Sequence, residues 1–174
     1  MAAPLSLFLI ILFIVTVNPS ISTTTPPSEL VNNVCKKTSN YSFCVLSLSA
    51  DPRTPSADSY GLSFISFGMA YLNASNTQDF IGELMKNAKR DELVRLRRCH
   101  GDYEKGVSAL EVAYNDLNSE SFYELANLAG VAAHSAKDCQ SAFMKIPSPL
   151  ISRNRDLKAL CEICVAVSKL FNVD

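Results

Sequence analysis

Between Leu96 and Leu117 the residues Leu96, Cys99, Tyr103, Val107, Leu110, Tyr114 and Leu117 follow one another at steps of three or four without a lapse. That spacing draws one apolar stripe along an α-helix and does not fit the period of two that a half-buried strand needs. The stretch before it carries Leu62, Ile65, Met69, Leu72, Phe80, Ile81, Leu84 and Ala88, with a polar lapse from Asn73 to Asp79. The stretch after it carries Phe122, Leu125, Ala129, Ala132, Ala136, Cys139 and Phe143. Beyond a Pro-rich break at Ile146 to Pro149, a last stretch carries Leu157, Leu160, Cys161, Cys164, Ser168 and Phe171. No segment shows strand alternation or an Asn-Gly hairpin turn, so the fold class is all-α. Four amphipathic helices with short connections bury their stripes most simply as an up-down-up-down four-helix bundle.

A smaller unit precedes the bundle. Ser28 is placed to cap a helix bearing Leu30, Val31, Val34 and Cys35. Thr38-Ser39-Asn40 turns the chain, and Tyr41 to Leu48 forms a second short helix bearing Cys44. Cys35 and Cys44 stand about equally far from the turn, so an antiparallel αα-hairpin brings them to one height. Asp51-Pro52-Arg53-Thr54-Pro55 breaks the chain, and Ser56 or Asp58 can cap the first helix of the bundle. The reading is a helical hairpin over 29–55 and a four-helix bundle over 56–174, with 29–174 forming one domain.

Leu5 to Val17 is an unbroken apolar run followed by Pro19 and the small residues Ser20 and Ser22. It is too short for a membrane span, which takes about 20 apolar residues, and has the plan of a secretory signal peptide over 1–22. A mobile polar leader, 23–28, comes next. The mature chain is then expected to be secreted, with no membrane association after signal removal. Secretion makes disulfides the default for the six cysteines. If the second and third bundle helices turn back near Ser119, Cys99 and Cys139 lie in register on either side of that turn. Spacing alone does not choose among the full pairings, but hairpin symmetry favours Cys35–Cys44 and Cys99–Cys139. Cys161 and Cys164 form a C-x-x-C on an apolar helix face and read as unpaired buried thiols rather than a redox couple.

Several chemistries find no support. The net charge of −1 argues against a nucleic-acid partner. His100 and His134 have no ligand-spaced neighbours, so no metal is expected, and no nucleotide-binding or nucleophile-elbow motif points to a cofactor or an enzyme. Asn40-Tyr41-Ser42 and Asn73-Ala74-Ser75 are N-glycosylation sequons, and Asn40, at the turn, is the better placed. Charge is unevenly spread: Lys86 to Arg98 holds six basic residues against two acidic, whereas Asp102 to Asp138 holds seven acidic against two basic.

The hairpin Cys35-x8-Cys44, the following Leu-Ser-Ala-Asp-Pro-Arg, the second cysteine pair and the closing Leu-Cys-Glu-Ile-Cys-Val-Ala-Val-Ser-Lys-Leu-Phe resemble the plant invertase and pectin methylesterase inhibitor family. The resemblance spans essentially the whole mature chain. In that family the first two cysteines bridge the hairpin and the next two bridge the second and third bundle helices. The resemblance therefore implies the same two pairs, and with them a non-catalytic inhibitor. Such a protein would be a monomer that covers the active-site cleft of a target enzyme in a reversible 1:1 complex in the apoplast or cell wall.

Asp156-Leu157-Lys158-Ala159-Leu160-Cys161 is similar to the pectin methylesterase branch. Invertase inhibitors usually place a serine near Cys161 and carry Pro-Lys-Phe, which this sequence lacks; Cys164 departs from both patterns. Pectin methylesterase is the favoured target and invertase the alternative. A helical-bundle ligand carrier or signalling module, suggested by the alanine-rich third helix, is a further alternative. An enzyme that tracks a polyanion is expected to have a basic cleft rim, which an acidic surface would match. Glu111, Asp116, Glu120 and Glu124, with Asn115, Asn118 and Asn127, are the candidate contact residues.

Overall fold

The computed structural model describes residues 27–144 and 146–171. The expected signal peptide, 1–22, and most of the expected leader, 23–28, lie outside the described residues. The helices are α1 (Glu29–Cys35), α2 (Tyr41–Ser49), α3 (Ser59–Met85), α4 (Arg90–Asn118), α5 (Leu125–Ser141) and α6 (Ile151–Ser168), with a 3-10 turn at Thr54–Ser56. No strand occurs among the described residues.

Capping explains where the first three helices begin. The Ser28 hydroxyl accepts from the Val31 N–H at 3.3 Å, Asn40 Oδ1 from the Phe43 N–H at 3.0 Å, and Asp58 Oδ1 from the Gly61 N–H at 2.8 Å. Each satisfies one of the amides that a helix start leaves without an intrahelical partner. Of the two candidates before α3, Asp58 is the cap. α4 has no side-chain cap, and its first turn carries Asp91 and Glu92, whose charges favour the positive end of the helix dipole.

α3 packs on α4 and α6, and α5 packs on the same two, so successive helices are antiparallel neighbours and α4 lies diagonal to α6. This is the up-down-up-down bundle. The α1–α2 hairpin leans on α6. Ser39, at its turn, donates from its backbone N–H and its hydroxyl to Glu162 Oε2 of α6. Cys35–Cys44 ties the hairpin with a Cα–Cα distance of 5.4 Å, and Cys99–Cys139 ties α4 to α5 at 4.4 Å.

The second crossing is close because small residues line it. Ala129, Ala132 and Ala136 of α5 are buried, and a Cβ placed on Gly106 of α4 would stand 3.1 Å from the Ser135 Cβ and 3.6 Å from the Ala132 Cα. The alanines of α5 therefore let the two helices approach closely at this crossing.

α3 differs from the expected stripe. Its buried residues include Phe67, Ala70, Ala74, Thr77 and Ile81 beside Leu62 and Ile65, while Met69 is only half-buried and Leu72 is 59% exposed. The apparent polar lapse is bridged by Ala74 and by Thr77, whose hydroxyl donates to the Asn73 carbonyl at 2.7 Å and so enters the core satisfied. Because α3 touches both α4 and α6, its buried arc is broad and runs beside the row of largest residues. Val107, Phe122 and Phe171 are likewise only half-buried, and Tyr114 is exposed.

One polar network crosses the core. Tyr103 of α4 donates its hydroxyl to Asn154 Oδ1 of α6 at 2.8 Å, and Asn154 Nδ2 donates to Gln140 Oε1 of α5 at 2.9 Å. Cys161 and Cys164 are buried and unpaired on α6. Burial, with the Glu162 charge adding to it, pushes the Cys161 thiol up to about 12, and burial raises Cys164 as well. The thiolate that redox chemistry requires is thus suppressed at both positions.

Candidate functional site

The C-terminal half of α4 buries Ala109, Leu110, Ala113 and Leu117 and turns Glu111, Asn115 and Asn118 to solvent, with Asp116 half-buried. Its end is a Schellman turn. The Ser121 N–H donates to the Asp116 carbonyl at 2.8 Å and the Glu120 N–H to the Leu117 carbonyl at 3.1 Å. Glu120 occupies the left-handed position of that turn with φ 54°, among the described residues the one non-glycine with positive φ. Glycine is the residue that adopts this conformation without a steric penalty. An exposed glutamate is held there instead.

Beyond the turn, Glu124 and Asn127 are exposed at the start of α5, and Asn127 Nδ2 donates to Glu124 Oε2 at 3.0 Å. The candidates thus form a ridge from Glu111 along α4, around the turn and onto α5. Aromatic packing stiffens it. The Tyr60 hydroxyl donates to the Leu117 carbonyl at 3.1 Å, Tyr60 and Tyr114 each meet Phe64 edge-on, Tyr60 meets Phe122 edge-on, and Phe122 stacks on Phe171.

A groove of about 510 Å³ runs beside the ridge between α3 and α4, lined by Asp51, Arg53, Phe64, Met69, Leu72, Glu111, Tyr114 and Asn115 among others. At its rim Asp51 accepts from the Arg53 backbone N–H and from its guanidinium at 2.9 and 2.6 Å. The guanidinium beside it holds the Asp51 carboxyl down to about 2. Tyr123, 85% exposed, stands between the turn and α5. Sequence reasoning missed the groove and both tyrosines. It placed Leu72 and Tyr114 in the buried seam, and the signal that would have moved Leu72 outward was the second stripe Phe67, Ala70, Ala74, Thr77 and Ile81.

Asp102, the first of the seven acidic residues between Asp102 and Asp138, does not join the outward-facing acidic surface. It is 9% exposed, with Arg98 Nε and Lys105 Nζ each at 3.9 Å and no hydrogen bond to Oδ2. Its position one turn after Cys99, on the side where α5 approaches, takes it under the surface. Burial raises its carboxyl above the ordinary value, and Lys105 and Arg98 pull it partly back. Elsewhere, His134 contacts the Gly130 carbonyl of its own helix at 2.7 Å, and His100 is half-buried. Among the described residues no three His, Cys, Asp or Glu side chains converge as a metal site, and no helix is long and apolar enough to cross a membrane.

The model of the plant invertase/pectin methylesterase inhibitor family matches residues 29–167. The chain belongs to that family. Among relatives, it is 32% identical to a pectinesterase inhibitor of Actinidia deliciosa, over 95% of this chain and 91% of the relative. It is 28% identical to the cell wall/vacuolar inhibitor of fructosidase 2 of Arabidopsis thaliana, over 99% and 98%. The fold matches the crystal structure of a mutant form of a pectin methylesterase inhibitor from Arabidopsis with a TM-score of 0.74, at 20% identity, over 83% of this chain and 98% of that one. Members of the inhibitor family carry the names of both targets, and they are named as inhibitors rather than as enzymes.

Proposed function

We propose that this inhibitor-family protein blocks pectin methylesterase, laying the ridge from Glu111 to Asn127 over the enzyme's active-site cleft in a reversible 1:1 complex. The observation that carries the reading is Glu120. A carboxylate held at a left-handed helix end, where glycine relieves strain, is kept for something other than stability. Its neighbours Glu111, Asp116 and Glu124 give the same surface one sign of charge. An esterase that releases carboxylates along a polymer works on a polyanion, and a basic cleft rim suits that work. The acidic ridge matches such a rim, and the tyrosines Tyr114 and Tyr123 supply amphipathic contact area. Action on a cell-wall enzyme also requires export, which the apolar run at Leu5 to Val17 would direct.

The test measures residual activity of purified pectin methylesterase and of purified invertase against increasing amounts of the oxidised protein. Wild type should inhibit the esterase, and the double variant Asp116→Lys/Glu120→Lys should inhibit it less, with the difference shrinking as salt is raised. Equal inhibition by both proteins at all salt concentrations would remove the ridge from the mechanism. The 28% identity to a fructosidase inhibitor keeps invertase as the second target to assay.

A further inference from the structure

We infer that Asn40 is the N-glycosylated residue of this chain and that Asn73, although it heads an equal sequon, carries no glycan. The inference rests on the reading that the chain is exported. The reaction uses a lipid-diphosphate-linked oligosaccharide. Nδ2 of the asparagine attacks C1 of its first sugar, the C1–oxygen bond breaks, the lipid diphosphate leaves with the bonding electrons, and Nδ2 gives up one proton. The product is an N-glycosidic amide whose Oδ1 is unchanged.

Asn40 can accept this change without structural loss. Asn40, Tyr41 and Ser42 are all exposed at the turn between α1 and α2. The cap of α2 uses only Oδ1, which accepts from the Phe43 N–H. Nδ2 is the atom that the cap leaves over, so glycan and cap are compatible on one side chain. The turn itself is braced, by Ser39 against Glu162 and by the Tyr41 hydroxyl donating to Asn32 Oδ1 at 3.1 Å. The hairpin leans on α6, diagonal to α4.

Asn73 offers the opposite setting. It lies in the interior of the 27-residue helix α3, its Oδ1 is buried without a hydrogen-bond partner, and its own carbonyl takes the Thr77 hydroxyl. A glycan on Nδ2 would branch from the middle of this long helix, at a half-buried residue whose other amide atom is already packed inside. N-linked sugars are bulky and belong on exposed segments.

The experiment expresses the full chain in plant cells and recovers it from medium and cell lysate for intact mass and glycopeptide mapping. Ser42→Ala removes the first sequon and leaves the Asn40 cap in place; Ser75→Ala removes the second. Wild type and Ser75→Ala from the medium should each carry one glycan, mapped to Asn40, and Ser42→Ala none, with the melting temperature of the protein portion unchanged. A secreted wild type without sugar, or a glycan mapped to Asn73, overturns the inference while leaving export intact. A chain that stays in the cells without sugar overturns the export reading and the inference together.

Discussion

Gly106 of α4 faces Ser135 of α5 so closely that a Cβ on the glycine would lie 3.1 Å from the Ser135 Cβ and 3.3 Å from its hydroxyl oxygen. Gly101, on the same helix, has nothing within 4 Å of the equivalent position. The two glycines should therefore respond in opposite directions. Gly106→Val is expected to lose about 1–3 kcal/mol by overpacking the crossing. Gly101→Ala is expected to gain up to about 1 kcal/mol, because alanine is the better helix former. Urea denaturation of the two variants compares them directly. A neutral Gly106→Val would mean that α4 and α5 are free to separate.

The two disulfides should differ in worth. Cys99–Cys139 closes a loop with a sequence separation of 40, against 9 for Cys35–Cys44. Loop-closure entropy gives about 4 and about 3 kcal/mol respectively. The longer loop also joins two bundle helices rather than a hairpin on their flank. Cys99→Ser is thus expected to destabilise more than Cys35→Ser in chemical denaturation. The reverse order would point to structure retained in the denatured chain.

Replacing Glu120 with glycine should separate stability from inhibition. The substitution relieves a left-handed glutamate and is expected to add up to about 1 kcal/mol to stability. It also removes one charge of the ridge, so inhibition of pectin methylesterase should weaken, chiefly through a slower association rate. Thermal melts and stopped-flow binding measure the two effects. A variant that is both more stable and fully inhibitory would show that Glu120 takes no part in docking.

Asp102 sets a pH dependence of definite sign. Its folded pKa lies above the ordinary 3.8 because burial disfavours the charge. A group raised in this way contributes stability below its unfolded pKa and loses that contribution as pH rises through the folded value. Asp102→Asn resembles the protonated carboxyl at every pH. The variant should be more stable than wild type at neutral pH, and the gap should close as pH falls toward the unfolded value. Denaturation midpoints from pH 3 to 7 follow the difference, and a gap that widens on acidification would mean that Arg98 and Lys105 dominate.

Local chemistry was the legible part of the fold. Ser28 marked one helix start and the pair Ser56 or Asp58 another because capping depends on residues three apart, while Asn40 was read only as a turn residue. The steps from Leu96 to Leu117 marked α4 because that helix presents one stripe. The α3 core was not legible in the same way. Phe67, Ala74 and Thr77 became visible as core only once α3 was known to touch two neighbours, and a small or satisfied polar residue gives little hydropathy signal. The same reason hid Asp102, whose burial depends on the approach of α5, and the exposure of Tyr114, which depends on how α3 lies against α4. At the candidate site, the acidic residues could be chosen by charge alone. The left-handed backbone at Glu120 and the groove beside Tyr114 are three-dimensional facts with no sequence marker.

The chain of hydrogen bonds from Tyr103 through Asn154 to Gln140 links three helices at a single level of the bundle. Apolar side chains tolerate sliding, since one leucine fills much the same space as the next. Polar groups in a dry interior do not, because each unmatched donor or acceptor costs on the order of 1–3 kcal/mol. A shift of α6 by one turn would strand the buried Tyr103 and Asn154 side chains at once. The network thus acts as a vertical index mark, making one alignment of α4, α5 and α6 distinct from its near neighbours and holding the outer ridge at a fixed height.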